Sequence, residues 1–156
     1  MKKVVFAIVM CLAGIVNAHA QAVYNEVYRL AKKTADSTQL NLETRKVAMF
    51  KVYALDYMSQ KSVEVMPDSS AYVLDKQAYA LYDFVDFYMN NLSKAKKQQK
   101  EVVMTVFRNA SLNNPRFGDT DKDYVLSYVN NTDFITPFSL DTDWEKADAE
   151  VHNRKW

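Results

Sequence analysis

Glycine and proline are scarce beyond residue 20, and this scarcity limits the folds open to the chain more than any other feature. Gly118 is the one glycine in that part, and the three prolines are Pro67, Pro115 and Pro137. Tight turns draw on both residue types, so a sheet built from many hairpins fits this sequence poorly. Alanine, leucine, lysine and methionine, which favour helices, are frequent instead. The composition therefore predicts an all-α fold.

Apolar residues recur with helical spacing in four long segments, over residues 22–36, 42–65, 69–92 and 94–112. Apolar residues surround much of the second segment, which predicts a central helix. We expect a small antiparallel bundle of about four main helices, with Asn41 capping the second helix and Pro67 ending it. The third segment has the clearest pattern, because its apolar residues alternate by four and three positions along one face. These residues are Leu74, Ala78, Leu81, Val85, Tyr88 and Leu92.

The segment from Arg116 to the C-terminus changes in character towards loops. A short helix is predicted over residues 121–130, and Thr142 and Glu145 have the spacing of a capping box that begins a last helix. Because no linker divides the sequence after residue 20, residues 21–156 are expected to form a single helical domain with a loop-rich C-terminal tail. Large apolar residues are expected to hold this tail to the bundle, namely Phe117, Phe134, Phe138 and Trp144.

The first 20 residues have the three parts of a cleavable, bacterial-type secretory signal peptide. A short positive start is followed by an apolar run over residues 4–16. Small residues at Ala18 and Ala20 then precede a cleavage point before Gln21. A membrane-spanning helix takes about 20 apolar residues, so this run is too short for an anchor. We expect a periplasmic or secreted protein whose mature chain does not span a membrane.

Cleavage would remove Cys11, the one cysteine, together with Lys2 and Lys3. The mature domain would then have no thiol, which excludes thiol catalysis, zinc–thiolate sites and iron–sulfur clusters. The formal charge of the full chain is +1, and loss of the two lysines makes it slightly negative. This balance predicts no basic surface for nucleic acid. Without disulfides, an apolar core must hold the domain together.

Few residues suited to catalysis or cofactor binding are present. His152 is the one histidine beyond residue 20, and its polar surroundings near the C-terminus indicate a helix end. A phosphate-binding loop needs several glycines, which Gly118 alone does not supply. We therefore expect no cofactor and assign no catalytic residue. Asp83 and Asp86, three positions apart on one helix, leave open the alternative of a carboxylate-based hydrolase that acts on a glycan.

Asp119, Asp121 and Asp123 are spaced like the first ligands of a calcium loop. Such a loop then needs glycine at its sixth position and glutamate at its twelfth, where this chain has Tyr124 and Asn130. Acidic residues also stabilise the N-terminus of a helix, and this interpretation is favoured. A calcium-stabilised envelope or adhesion component remains an alternative, with the three aspartates as weak candidate metal ligands.

Tyrosine is unusually frequent, with 10 residues, all of them after residue 20. Tyr72, Tyr79 and Tyr82 lie at the border of the apolar stripe of the third helix. Tyrosine rings at such a border pack at the edge of a core, and they also provide contact area for a partner at low entropic cost. The three tyrosines are therefore candidate binding residues. The leading functional prediction is an exported non-catalytic module that binds a protein or a cell-envelope component.

Overall fold

The computed structural model describes residues 21–67, 70–119, 122–130 and 135–154. These residues form six α-helices and no strand, so the all-α prediction is confirmed. Four long helices pack against one another, and two short ones belong to the C-terminal tail. The predicted signal peptide over residues 1–20 lies outside the described residues. The helices are α1 Ala22–Asp36, α2 Leu42–Val65, α3 Ser70–Lys94, α4 Lys97–Asn113, α5 Lys122–Asn130 and α6 Trp144–His152.

Local sequence explains where the long helices begin and end. Asn41 caps α2 as predicted, because its side-chain oxygen accepts a hydrogen bond of 2.8 Å from the backbone N–H of Thr44. The helix ends at Val65, two residues before Pro67, and a residue that precedes proline is disfavoured in the helical conformation. α3 continues to Lys94, beyond its predicted end, so the lysine-rich segment is divided between α3 and α4.

α3 packs against more of the other helices than α2, the helix that the sequence predicts to be central, and ten residues of α2 are also buried. α3 packs against α1, α2, α4 and α6, whereas α2 packs chiefly against α1 and α3. The ring centroid of Phe84 on α3 lies 5.2 Å from that of Phe107 on α4. It also lies 5.1 Å from the ring of Phe138 and 5.5 Å from that of Trp144. The apolar residues around α2 do not all reach the core, since Val63 remains 63% exposed.

The C-terminal tail contributes directly to the core. Phe138 and Trp144 are fully buried, as predicted. Phe117 is partly buried against the ring of Tyr57, at a centroid distance of 6.3 Å, and Phe134 lies outside the described residues. α6 packs along both α3 and α4, which makes it a structural part of the bundle. Burying large aromatic rings is the main stabilising contribution that such a tail can make.

α6 begins at Trp144 with Asp143 as its N-cap, one residue after the predicted cap at Thr142. The hydroxyl of Thr142 instead donates to the backbone carbonyl of Ser139 at 2.7 Å. Asp143 is held by Gln77, a fully buried residue of α3 whose side-chain amide donates to the carboxylate at 2.8 Å. The side-chain oxygen of Gln77 accepts the backbone N–H of Trp144 at 2.7 Å. Because a buried amide needs both a donor and an acceptor, this pair of bonds fixes the start of α6 on α3.

Asp141 organises the loop that follows α4. Its carboxylate accepts the backbone N–H groups of Arg116, Phe117 and Asp119 at 3.1, 2.7 and 2.8 Å. The guanidinium of Arg116 then contacts Asp143, with an N···O distance of 3.0 Å. Hydrogen bonds to a charged group are stronger than neutral ones, so these contacts join the loop after α4 firmly to the segment before α6.

Candidate functional site

A groove of about 520 Å³ lies between α1, α2 and α3, and we call it the α1–α3 groove. Its volume falls within the range of ligand sites in proteins, about 300–1,000 Å³. Most of its surface is apolar, and a few charged or aromatic side chains line its floor and rim. The apolar walls are Leu30, Ala31, Val47, Ala48 and Met89, and the other residues used below are Glu43, Lys51, Tyr82 and Asp86.

A buried lysine lines the α1–α3 groove. The Lys51 side chain is 8% exposed, and its Nζ lies 2.7 Å from Oδ1 of Asp86, whose side chain is 49% exposed. The ammonium also lies 3.8 Å from the ring centroid of Tyr82. Burial lowers the pKa of Lys51, and the hydrogen bond and negative charge of Asp86 oppose this effect. Lys51 and Asp86 therefore form an ion pair in which the lysine is buried and the aspartate is accessible to water.

Sequence reasoning missed Lys51, because lysine is almost never fully buried unless it is paired. A signal was present, since Lys51 lies within the run from Met49 to Leu55, in which it is the one charged residue. A helix with so few polar positions buries most of its surface against other parts of the protein. The partner residue, Asp86, lies on another helix and only the fold brings the two together.

The three candidate tyrosines do not form one surface. Tyr82 lines the α1–α3 groove and is 40% exposed, so it lies at the edge of the core. Tyr72 and Tyr79 are each 67% exposed on α3. The Lys76 ammonium lies 4.7 Å from the ring centroid of Tyr72, while Tyr79 lines a shallow depression beside Val23. The structure therefore associates Tyr82 alone with the groove.

A second group of polar side chains joins α3 to α6, and we call Asp83, Asp148 and His152 the α3–α6 cluster. Nε2 of His152 lies 3.7 Å from Oδ2 of Asp83, and Nδ1 lies 3.2 Å from Oδ1 of Asp148. Nδ1 also lies 3.0 Å from the backbone carbonyl oxygen of Asp148. The imidazole stacks on Phe87, with a centroid distance of 4.2 Å and an angle of 15° between the rings.

The electrostatics of the α3–α6 cluster are unusual for a surface group. Burial raises the pKa of the Asp148 carboxyl to about 6; His152 opposes the rise and the charge of Asp83 adds to it. Sequence reasoning assigned His152 only to a polar helix end. Asp148 and His152 are four residues apart and share a helix face, which was the available signal. The contribution of Asp83 was not visible, because it depends on the packing of α3 against α6.

Asp83 and Asp86 face different helices, although they are three residues apart. Asp83 contacts His152 of α6, whereas Asp86 pairs with Lys51 of α2. The hydrolase alternative requires convergent carboxylates in one concave site. The structure directs these two carboxylates to separate sites.

Asp119 belongs to the network around the loop after α4. Its Oδ2 accepts a hydrogen bond of 2.8 Å from the hydroxyl of Tyr57 and lies 3.3 Å from Nζ of Lys61. This carboxylate oxygen is thus already neutralised by a lysine. Asp121 and the side chain of Asp123 lie outside the described residues, so the calcium alternative stays a prediction.

The chain matches no protein-family model, no curated protein and no solved structure. Within the described ranges, every helix is too short or too polar to cross a membrane. The α1–α3 groove and the α3–α6 cluster are the features from which a function can be argued.

Proposed function

We propose that this chain is an exported, non-catalytic binding module whose α1–α3 groove holds a segment of a partner protein. The segment would place apolar side chains in the groove and a lysine or arginine at its rim. The observation that carries this proposal is a largely apolar groove of about 520 Å³ whose charged residues have a negative balance. The predicted signal peptide supports a partner that is itself exported or part of the cell envelope.

Charge distinguishes a basic protein segment from an anionic ligand such as a fatty acid. The ammonium of Lys51 would attract an anion, but Asp86 already neutralises it at 2.7 Å. Glu43, at the first turn of α2, adds a negative charge at the rim. A cationic side chain would pair with Glu43, because Lys51 and Asp86 balance each other and leave Glu43 as the source of the negative balance. An anionic headgroup would be repelled by Glu43, since like charges repel.

Apolar surface at the groove supports a segment that packs hydrophobic side chains. Leu30 lines the groove and is 39% exposed. Burying one leucine-sized side chain of a partner contributes about 1.5–3 kcal/mol, so several such anchors together with the ion pair are needed to offset the association cost of about 4–15 kcal/mol. An amphipathic segment laid into a groove is a common form of such recognition.

The test is to pan the purified protein against a displayed library of random peptides and to measure the affinity of the selected peptides. We expect enrichment of peptides that combine apolar residues with a lysine or arginine. The groove variant is Leu30→Lys, which places a positive charge on the apolar wall, where it would repel the basic residue of the peptide. The matched control is Val102→Lys, since Val102 is a 60% exposed apolar residue of α4 that does not line the groove.

Leu30→Lys is expected to weaken binding of the selected peptides at least tenfold, while Val102→Lys leaves it unchanged. Both positions are exposed, so both variants should fold, and circular dichroism verifies this. Equal binding by the two variants would show that the peptides bind elsewhere. Enrichment of acidic peptides, or of none, would contradict the charge argument and with it the proposed occupant.

A further inference from the structure

We propose that Asp83, Asp148 and His152 form a binding site for a divalent transition-metal ion, of which Zn²⁺ fits the ligands best. The site lies at the contact between α3 and the last turns of α6, apart from the α1–α3 groove. One ligand atom from each of the three residues can be chosen so that all lie within 4.8 Å of one another. An imidazole with two carboxylates is a donor set that zinc accepts in proteins.

The imidazole of His152 is oriented as a metal ligand requires. A carbonyl oxygen can only accept a hydrogen bond, so Nδ1 carries the proton that it shares with the backbone carbonyl of Asp148 at 3.0 Å. In the neutral ring, the lone pair is then on Nε2, which faces Asp83 at 3.7 Å. Metal-binding histidines usually donate their second N–H to a carbonyl or a carboxylate, which fixes the tautomer. Stacking on Phe87 also restricts rotation of the ring.

The carboxylates are placed to complete the site. Asp148 is one helical turn from His152, so both side chains leave α6 on the same face. Its Oδ1 is shielded from solvent and lies 3.2 Å from Nδ1 of His152. Asp83 approaches from α3, so a bound ion would join two helices. Two carboxylates close together repel each other, and a divalent cation between them removes that repulsion.

Asp148 lies beside Nδ1 and Asp83 beside Nε2, so ligation through Nε2 requires the side chain of Asp148 to rotate towards Asp83. Zinc bonds of about 2.0–2.2 Å in a tetrahedron place neighbouring ligand atoms about 3.3 Å apart. Asp83 and His152 have side chains that are 48% and 42% exposed, so they can rotate and leave a fourth position for water. Ca²⁺ and Mg²⁺ prefer six or more oxygen ligands, which this cluster does not offer. Without a metal, the same residues form an imidazolium paired with two aspartates, and a zinc titration distinguishes this ion pair from a metal site.

The test is a titration of the full-length protein with Zn²⁺ in competition with a chromophoric chelator, repeated with Ca²⁺ and Mg²⁺. We expect one Zn²⁺ per chain and an affinity that falls at least tenfold in His152→Gln and in Asp83→Asn. The matched control is Glu101→Gln, which removes an exposed carboxylate on α4 and should leave the affinity unchanged.

A second measurement identifies the ligand atom. In a proton–nitrogen NMR spectrum tuned to imidazole, Zn²⁺ should shift the Nε2 resonance of His152 and leave Nδ1 protonated. Both ligand positions tested are partly exposed, so unfolding is not expected to obscure the result. Zinc bound equally by His152→Gln and the wild type would overturn the proposal. Zinc bound no more tightly than Ca²⁺ would also overturn it and leave the imidazolium ion pair as the role of these residues.

Discussion

The two residues of the Lys51–Asp86 ion pair are expected to respond differently to substitution, because only one of them is buried. Asp86→Asn should lower the free energy of unfolding, whereas Lys51→Met should leave it unchanged or raise it. The reason is the unequal burial of the two side chains, 8% exposed for Lys51 and 49% for Asp86. Losing Asp86 leaves an ammonium in an apolar groove with no counter-charge. Losing Lys51 leaves a carboxylate that water already solvates.

The magnitudes follow from this asymmetry. Breaking a fully buried pair from one side costs about 3–5 kcal/mol. Water reaches Asp86 and the amide of asparagine still accepts a hydrogen bond, so we expect about 1–3 kcal/mol for Asp86→Asn. Methionine fits the space of the lysine stem and avoids the desolvation of the ammonium. Loss of the contact with Tyr82 costs about 0.5–1 kcal/mol and offsets part of this gain. The free energy of unfolding of Lys51→Met should therefore be unchanged or higher than that of the wild type by up to about 2 kcal/mol.

The assay is urea denaturation of both variants at neutral pH, with Asp36→Asn as the control. Asp36 forms an exposed ion pair with Lys32 at 2.9 Å, and breaking it should have no measurable effect. The free energy of unfolding measured as a function of pH provides a second test, since burial lowers the pKa of Lys51 in the folded state. The unfolded chain then binds more protons, so the wild type gains stability as the pH rises towards about 10.4, and Lys51→Met should lack this gain. Equal destabilisation by both substitutions would refute the reasoning.

Two further predictions concern α6. Because Trp144 is fully buried, Trp144→Ala should lower the free energy of unfolding by about 3–5 kcal/mol, and Trp144→Phe should lower it by much less. Equal melting temperatures of the wild type and Trp144→Ala would exclude a core role for this residue. Burial raises the pKa of Asp148 from 3.8 to about 6, so the folded state binds a proton that the unfolded chain does not bind in this range. In metal-free buffer, the free energy of unfolding should therefore rise as the pH falls from about 6 to about 4. Asp148→Asn should remove this rise. An unchanged pH profile in that variant would show that protonation of Asp148 is not its cause.

The helices themselves could be predicted from the sequence because their determinants are local. The spacing of Leu74, Ala78 and Leu81 identifies α3, and all three are buried. Asn41 caps α2 through a residue three positions away, so the cap was visible in the sequence. At the start of α6, two adjacent residues could each serve as the cap. Gln77, from a distant part of the chain, selects Asp143 over Thr142.

The candidate sites could be predicted only in part, since each depends on more than one helix. Tyr82 was proposed as a binding residue from its place at the border of an apolar stripe, and it does line the α1–α3 groove. Lys51 was not proposed, because its burial results from α1 and α3 packing against α2. The sequence places His152 at a helix end, and α6 does end at this residue. Its position beside Asp83 depends on how α6 lies against α3.

The sequence by itself determined the helical class and most helix boundaries, because hydrophobic periodicity, caps and proline act over a few residues. It also carries the predicted signal peptide, which is a local pattern of the same kind. Only the tertiary structure decided that α3 packs against more of the other helices than α2, that Lys51 pairs with Asp86 and that His152 meets two aspartates. These arrangements arise from side-chain packing between helices that are distant in the chain, and such packing depends on the shape of both surfaces at once.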